Sequence, residues 1–146
     1  PALNRRWWAA TGSGAWTGRS LSRATRIWAS DTSRVEHASL SYSDLNAWLD
    51  HPRREGFLRL AASCWRTRAY GDFWSHVLVA EGAVDAAIEP DLAVHDMAAL
   101  APIITEAGGR LTDLDGTDGP FGSSAVSSNG DLHHDILALL ADDAAD

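Results

Sequence analysis

The chain has one cysteine, one methionine and no apolar run near the roughly 18 residues that cross a bilayer. A lone thiol, Cys64, cannot build an intrachain disulfide framework and suits a reducing compartment, so a soluble cytoplasmic protein is expected. No basic-then-apolar leader opens the sequence. Positive charge is short as well: 12 basic residues face 20 acidic ones, a formal net charge of −8. That balance argues against a nucleic-acid backbone or an anionic membrane as partner. It would also repel a phosphate ester, unless metal ions reverse the sign inside a site. Several common catalytic spacings are missing. No serine occupies a G-x-S-x-G elbow, and Cys64 lacks the neighbours of a thiol enzyme. His133-His134 has no companions at metal-ligand spacing and reads as a pair of surface residues at a helix start. Gly12-Ser13-Gly14 lacks the lysine and following helix of a P-loop and reads as a hairpin turn. Asp113-Leu114-Asp115-Gly116 fails calcium-loop spacing and reads as a turn.

What is present is one domain's worth of chain, 146 residues, able to bury about 70% of its unfolded surface. Strand-like and helix-like segments alternate without repeats, which predicts layered α/β. A hairpin is expected over residues 5–16 and a strand over 25–30. Ser43 is a candidate N-cap for a helix burying Leu45, Trp48 and Leu49. After Pro52 comes a helix with Phe57, Leu60, Ala61 and Cys64 inside, its arginines Arg53, Arg54 and Arg59 forming a solvated face. Strands are expected at 65–70, 83–89, 110–114 and 125–128, and a last helix at 132–140. Seven tryptophans are many for one domain; they fill either a core or an interface.

The most informative stretch is residues 68–109, RAYGDFWSHVLVAEGAVDAAIEPDLAVHDMAALAPIITEAGG. It places Asp72, Glu89, Asp91 and Asp96 in nearly unbroken apolar sequence, where a carboxylate needs a partner, a helix end or a cation. The pattern predicts a strand, a turn, a buried helix over 73–81, a strand and a second helix. Asp72 and Asp96 then open the two helices, and Glu89 ends the strand between them. One concave acidic site would hold all three. Pro102 lies in the second helix and should kink it or loosen its first turns.

Glu89, Asp96 seven residues later, two alanines and EAGG together resemble the second signature of the inositol monophosphatase superfamily of metal-dependent phosphatases. Gly71-Asp72 with His76, VAEG, EP and AALAPI look most like its histidinol-phosphate phosphatase branch. The resemblance implies a layered αβαβα sandwich, of which this chain is the C-terminal half over residues 1–141, followed by an acidic tail at 142–146. It implies hydrolysis of L-histidinol phosphate, Mg²⁺ as cofactor with Asp96 as a ligand, and a homodimer. It implies that Glu89 touches the organic part of the substrate. Asp72 stands where many relatives carry a small neutral residue; it either contacts a cationic substrate or caps the helix. Arg68 either reaches the phosphate or forms a salt bridge. His95 stands where the family usually has tryptophan, and His76 is left unassigned. The first-half glutamate and the Asp-Pro-Ile/Leu-Asp-Gly-Thr segment of the family have no match here, so the chain alone is expected to be inactive, needing the missing N-terminal half. A related inositol or sugar-phosphate phosphatase, or a non-catalytic half-domain binding a partner chain, remain the alternatives.

Overall fold

The computed structural model describes residues 4–141; the tail read at 142–146 lies outside them. Strands β1 (Arg6–Ala10), β2 (Gly14–Gly18) and β3 (Ala24–Ile27) form an antiparallel meander. The β1–β2 turn uses Gly12 at φ +74° and Gly14 at φ +78°, a backbone region that glycine enters without penalty. A second sheet has the order β5-β4-β6-β8-β7. It is built from β4 (Ser39–Tyr42), β5 (Arg66–Arg68), β6 (Ala86–Glu89), β7 (Arg110–Thr112) and β8 (Ala125–Ser128). β4 runs parallel to β5 and β6, whereas β8 is antiparallel to both β6 and β7.

Side chains alternate across this sheet, and its two faces take different layers. Leu40, Ala86, Ile88 and Val126 pack on helices α2 (Arg54–Ser63) and α6 (His133–Leu140). The same cluster holds Trp48 of α1 (Leu45–Leu49), stacked on Phe57 at 4.9 Å with an 8° interplanar angle. The opposite face meets α3 (Asp72–Ala80), α4 (Val94–Met97) and α5 (Leu100–Glu106), and α5 in turn carries the meander on its far side. Glu106 fixes that contact by accepting the Gly12 and Gly14 amides at 2.7 and 2.8 Å. The result is the expected layered α/β sandwich, with the described residues contributing four layers, α–β–α–β.

Several local expectations change. Ser39–Tyr42, for which no element was expected, is the interior strand β4: Leu40 and Ala38 face the core while Ser39 and Ser41 are buried on the other side. Asp44, not Ser43, caps α1, accepting the Asn46 amide at 2.8 Å. Of the expected α1 face only Trp48 is buried; Leu45 and Leu49 stay exposed. Arg53 is no solvated side chain: it donates to the Leu114 carbonyl and pairs with Asp115. Arg59 likewise donates to the Ala141 carbonyl at 2.6 Å. His133 is buried rather than on the surface, its Nδ1 2.8 Å from Ser128 Oγ and its Nε2 3.0 Å from Thr112 Oγ1. Among the tryptophans Trp48 is fully buried, Trp28 and Trp65 are exposed, and the others are intermediate. Pro102 does interrupt its helix: α4 stops at Met97, and α5 restarts at Leu100 with proline in its first turn, where no amide is required. Asp113 forms the expected turn, its Oδ1 accepting the Asp115 and Thr117 amides.

Candidate active site

The chain leaves β4 toward α1 and α2 on one face of the sheet, and leaves β6 toward α4 and α5 on the other. Divergent exits from adjacent parallel strands open a crevice at their carboxyl ends, where open α/β sheets bind ligands. Ser43 and Asp44 follow β4 there, and Glu89 ends β6.

Beside it lies a cleft of about 390 Å³, lined by Asp72, Phe73 and His76 of α3 together with Leu92, Asp96 and Leu100. The fold thus brings together two acids that are 24 positions apart in the chain. Asp72 is exposed, and its carboxylate has no hydrogen-bond partner among the described residues, so it does not cap α3. Its backbone is unusual, with φ +48° directly after Gly71 at φ +78°, ψ 161°. Aspartate tolerates the left-handed region better than most residues but still costs about 1 kcal/mol there. Asp96 is half exposed. Its Oδ2 accepts the Ala93 amide at 3.2 Å, and its Oδ1 is 3.7 Å from His95 Nε2. Asp96 does not open its helix but is the third residue of α4, which at four residues is too short to supply an appreciable anion-favouring dipole.

Glu89 is 2% exposed. Ser43 Oγ donates to its Oε2, while Oε1 is buried with no partner. Burial pushes its carboxyl up to about 7; the Ser43 hydrogen bonds oppose this, and the nearby Asp72 and Asp44 charges add to it. Glu89 does not line the cleft, but Asp72 is close enough to act on it. Arg68 lies apart, exposed on the edge strand β5, with its Nη1 donating to the Thr67 carbonyl at 2.7 Å. It is not a lining residue of the cleft.

His76, left without a role by the sequence, and several buried or half-buried serines complete the picture. His76 is 1% exposed, with Nδ1 2.7 Å from Ser127 Oγ and Nε2 without a partner. Burial lowers its pKa to about 4, so the ring is neutral at pH 7. Ser41 and Ser75 bond to each other at 2.8 Å in the same sheet–helix layer. Nothing local marks Ser43 or Ser127 as site residues; the β4–β6 register brings Ser43 beside Glu89, and the packing of α3 on β8 brings Ser127 to His76. Cys64 is pushed up to about 11, chiefly by burial, which makes it a poor nucleophile.

Among the described residues no group of three or more His, Cys, Asp or Glu side chains is arranged to hold a metal ion. Asp96 nevertheless suits a hard cation: a half-exposed carboxylate on a cleft, with one oxygen that accepts no hydrogen bond from the protein. Mg²⁺ binds through one or two carboxylates plus water and substrate phosphate, so a single ligand here is compatible with it. No helix among the described residues is long and apolar enough to cross a membrane.

A histidinol-phosphatase of Streptomyces coelicolor is 53% identical over 140 residues, covering 96% of this chain and 53% of that protein. A histidinol-phosphatase of Mycobacterium tuberculosis is 52% identical, covering 96% of this chain and 54% of its own length. The chain therefore spans about half the length of the curated relatives it matches. Among solved structures, the IMPase of Thermotoga maritima superposes with a TM-score of 0.81 at 26% identity, over 96% of this chain and 52% of that one. The inositol monophosphatase family model matches residues 1–144, and the chain belongs to the inositol monophosphatase family.

Proposed function

We propose that this chain supplies the C-terminal half of a phosphatase that hydrolyses L-histidinol phosphate to histidinol and phosphate. The observation that carries the reading is the meeting of Asp72 and Asp96 on one cleft, with Glu89 within electrostatic reach. Identity above 50% to two proteins named histidinol-phosphatase supports the substrate.

Asp96 is the residue that would hold Mg²⁺. When bound, the metal supplies a Lewis acid for the phosphoryl oxygens and lowers the pKa of the water that attacks phosphorus. Asp72 and Glu89 select the organic part, which carries an ammonium and an imidazole. The pKa of Glu89 falls when a cation approaches, because opposite charge favours the carboxylate. Its unpartnered Oε1 is the acceptor that such a cation would satisfy. Arg68 would have to swing from the edge strand to reach the phosphate, and is the weakest of the four assignments. One carboxylate is too few for catalysis, so the remaining metal ligands and the residue orienting water come from outside this chain.

The test is a phosphate-ester panel with Mg²⁺, using this chain combined with the N-terminal part of the Streptomyces coelicolor relative. Turnover of L-histidinol phosphate is expected only when both parts are present. Equal or better turnover of inositol 1-phosphate would reassign the substrate, and no turnover of any ester would leave a non-catalytic binding half-domain.

A further inference from the structure

His76 is a buried imidazole that the reaction above does not use. Its ring sits under the cleft, one helical turn beyond Asp72 on α3, and is itself a lining residue. Proton accounting fixes its tautomer. Ser127 is fully buried, and its hydroxyl has a single hydrogen-bond partner among the described residues, His76 Nδ1 at 2.7 Å. If Ser127 donates to Nδ1, one buried polar group, Nε2–H, lacks a partner. If Nδ1–H donates to Ser127, two do, the hydroxyl proton and the Nε2 lone pair, so the balance favours Ser127 donating and Nδ1 accepting. The ring proton then resides on Nε2, the atom that has no partner. His133 is an internal comparison. Thr112 Oγ1 donates to the Asp113 carbonyl at 2.7 Å, so His133 Nε2–H donates to Thr112 while Ser128 donates to Nδ1. The two histidines share a tautomer; one has its Nε2–H satisfied inside the protein and the other does not.

Orphaned buried donors are rare in folded proteins and each needs a physical account. Trp48 Nε1 is another here, but it lies in the hydrophobic core, whereas His76 lines a cleft open to a ligand. Asp72 and Asp96 supply only acceptors to this cleft, so an acceptor on a ligand needs a donor from elsewhere. We propose that His76, held by Ser127, is a substrate-binding residue whose Nε2–H donates to an acceptor atom of the phosphate ester in the cleft. The inference rests on the phosphate-ester reading of that cleft. Because burial keeps the ring uncharged well below pH 7, the donor adds no charge that would compete with a cationic substrate for the two acids.

Long-range ¹H–¹⁵N spectra of the chain labelled at histidine read the tautomers directly. His76 and His133 are both expected as Nε2–H at pH 7; an Nδ1–H tautomer at His76 overturns the proposal without reference to any ligand. With Mg²⁺ and the N-terminal part of the Streptomyces coelicolor relative present, since this chain holds only one candidate metal ligand, inorganic phosphate and L-histidinol are then added separately. Movement of the His76 Nε2 resonance with phosphate places the donor against the phosphoryl group, and movement with histidinol places it against the organic part. Either supports the inference, provided His133 is unmoved. Shifts of the Asp72 and Phe73 amides with a still His76 overturn it while leaving the cleft reading standing. No shift at either place overturns both. In His76→Gln the side-chain amide keeps a donor near the Nε2 position, and affinity should stay within about threefold of the parent; His76→Phe should lose about tenfold or more. Equal losses in the two variants, both still folded, would make His76 a packing residue.

Discussion

Glu89→Gln tests the electrostatics of the site in the chain by itself. A buried carboxyl whose pKa is raised from 4.5 to about 7 stays protonated in the folded state while the unfolded chain ionises. The native state then binds more protons, so its stability contribution is complete below the unfolded pKa and is lost as pH rises through about 7. Integrating between pH 5 and pH 8 gives about 2.5 kcal/mol lost by the parent chain and none by the glutamine variant. Ser43 still finds an acceptor in the glutamine carbonyl, so the hydrogen bond survives the substitution. The assay is urea unfolding of both chains at the two pH values, taken as a double difference so that the buried histidines cancel. Glu89→Gln should gain about 2–3 kcal/mol relative to the parent on going from pH 5 to pH 8, roughly 5–10 °C in Tm. A double difference near zero would mean that Glu89 ionises freely, and the reading of a poised, cation-seeking acid would be lost.

Other outcomes follow from the same coordinates. Asp96→Ala should abolish Mg²⁺-dependent turnover of the assembled enzyme, yet cost the fold less than about 1 kcal/mol, since it removes one 3.2 Å amide contact; retained turnover would remove Asp96 from the metal site. Asp72→Gly should stabilise the chain by about 1 kcal/mol by relieving φ +48°, while weakening preference for histidinol phosphate over neutral esters in competition assays. Gly56→Ala should destabilise by more than about 1 kcal/mol, measured by urea unfolding, because the added Cβ would lie 2.6 Å from the Leu140 carbonyl oxygen where α2 crosses α6. His76 and His133 have pKa values lowered to about 4 by burial, so the stability they contribute is present above about 6.5 and lost as pH falls through 4; proton uptake on unfolding at pH 5 measures it in the Glu89→Gln background, where position 89 releases no proton.

The sequence by itself determined the alternation of strands and helices, the hairpin glycines, the break at Pro102 and the choice of Asp72, Glu89 and Asp96 as acids of interest. Those follow from local chemistry: φ preferences, a missing amide, and charge embedded in apolar runs. It gave no strand at Ser39–Tyr42, because an interior strand with serine on one face has the polarity of a loop. It misread His133 and Arg53 because polar side chains look solvated until their partners, Thr112, Ser128 and Asp115, arrive from distant segments. Only the tertiary structure decided that Asp72 and Asp96 share a cleft, that Ser43 answers Glu89, that Arg68 stands apart and that Ser127 pins His76. Those relations depend on strand order and register in the five-stranded sheet, and local propensity carries no information about which strands become neighbours.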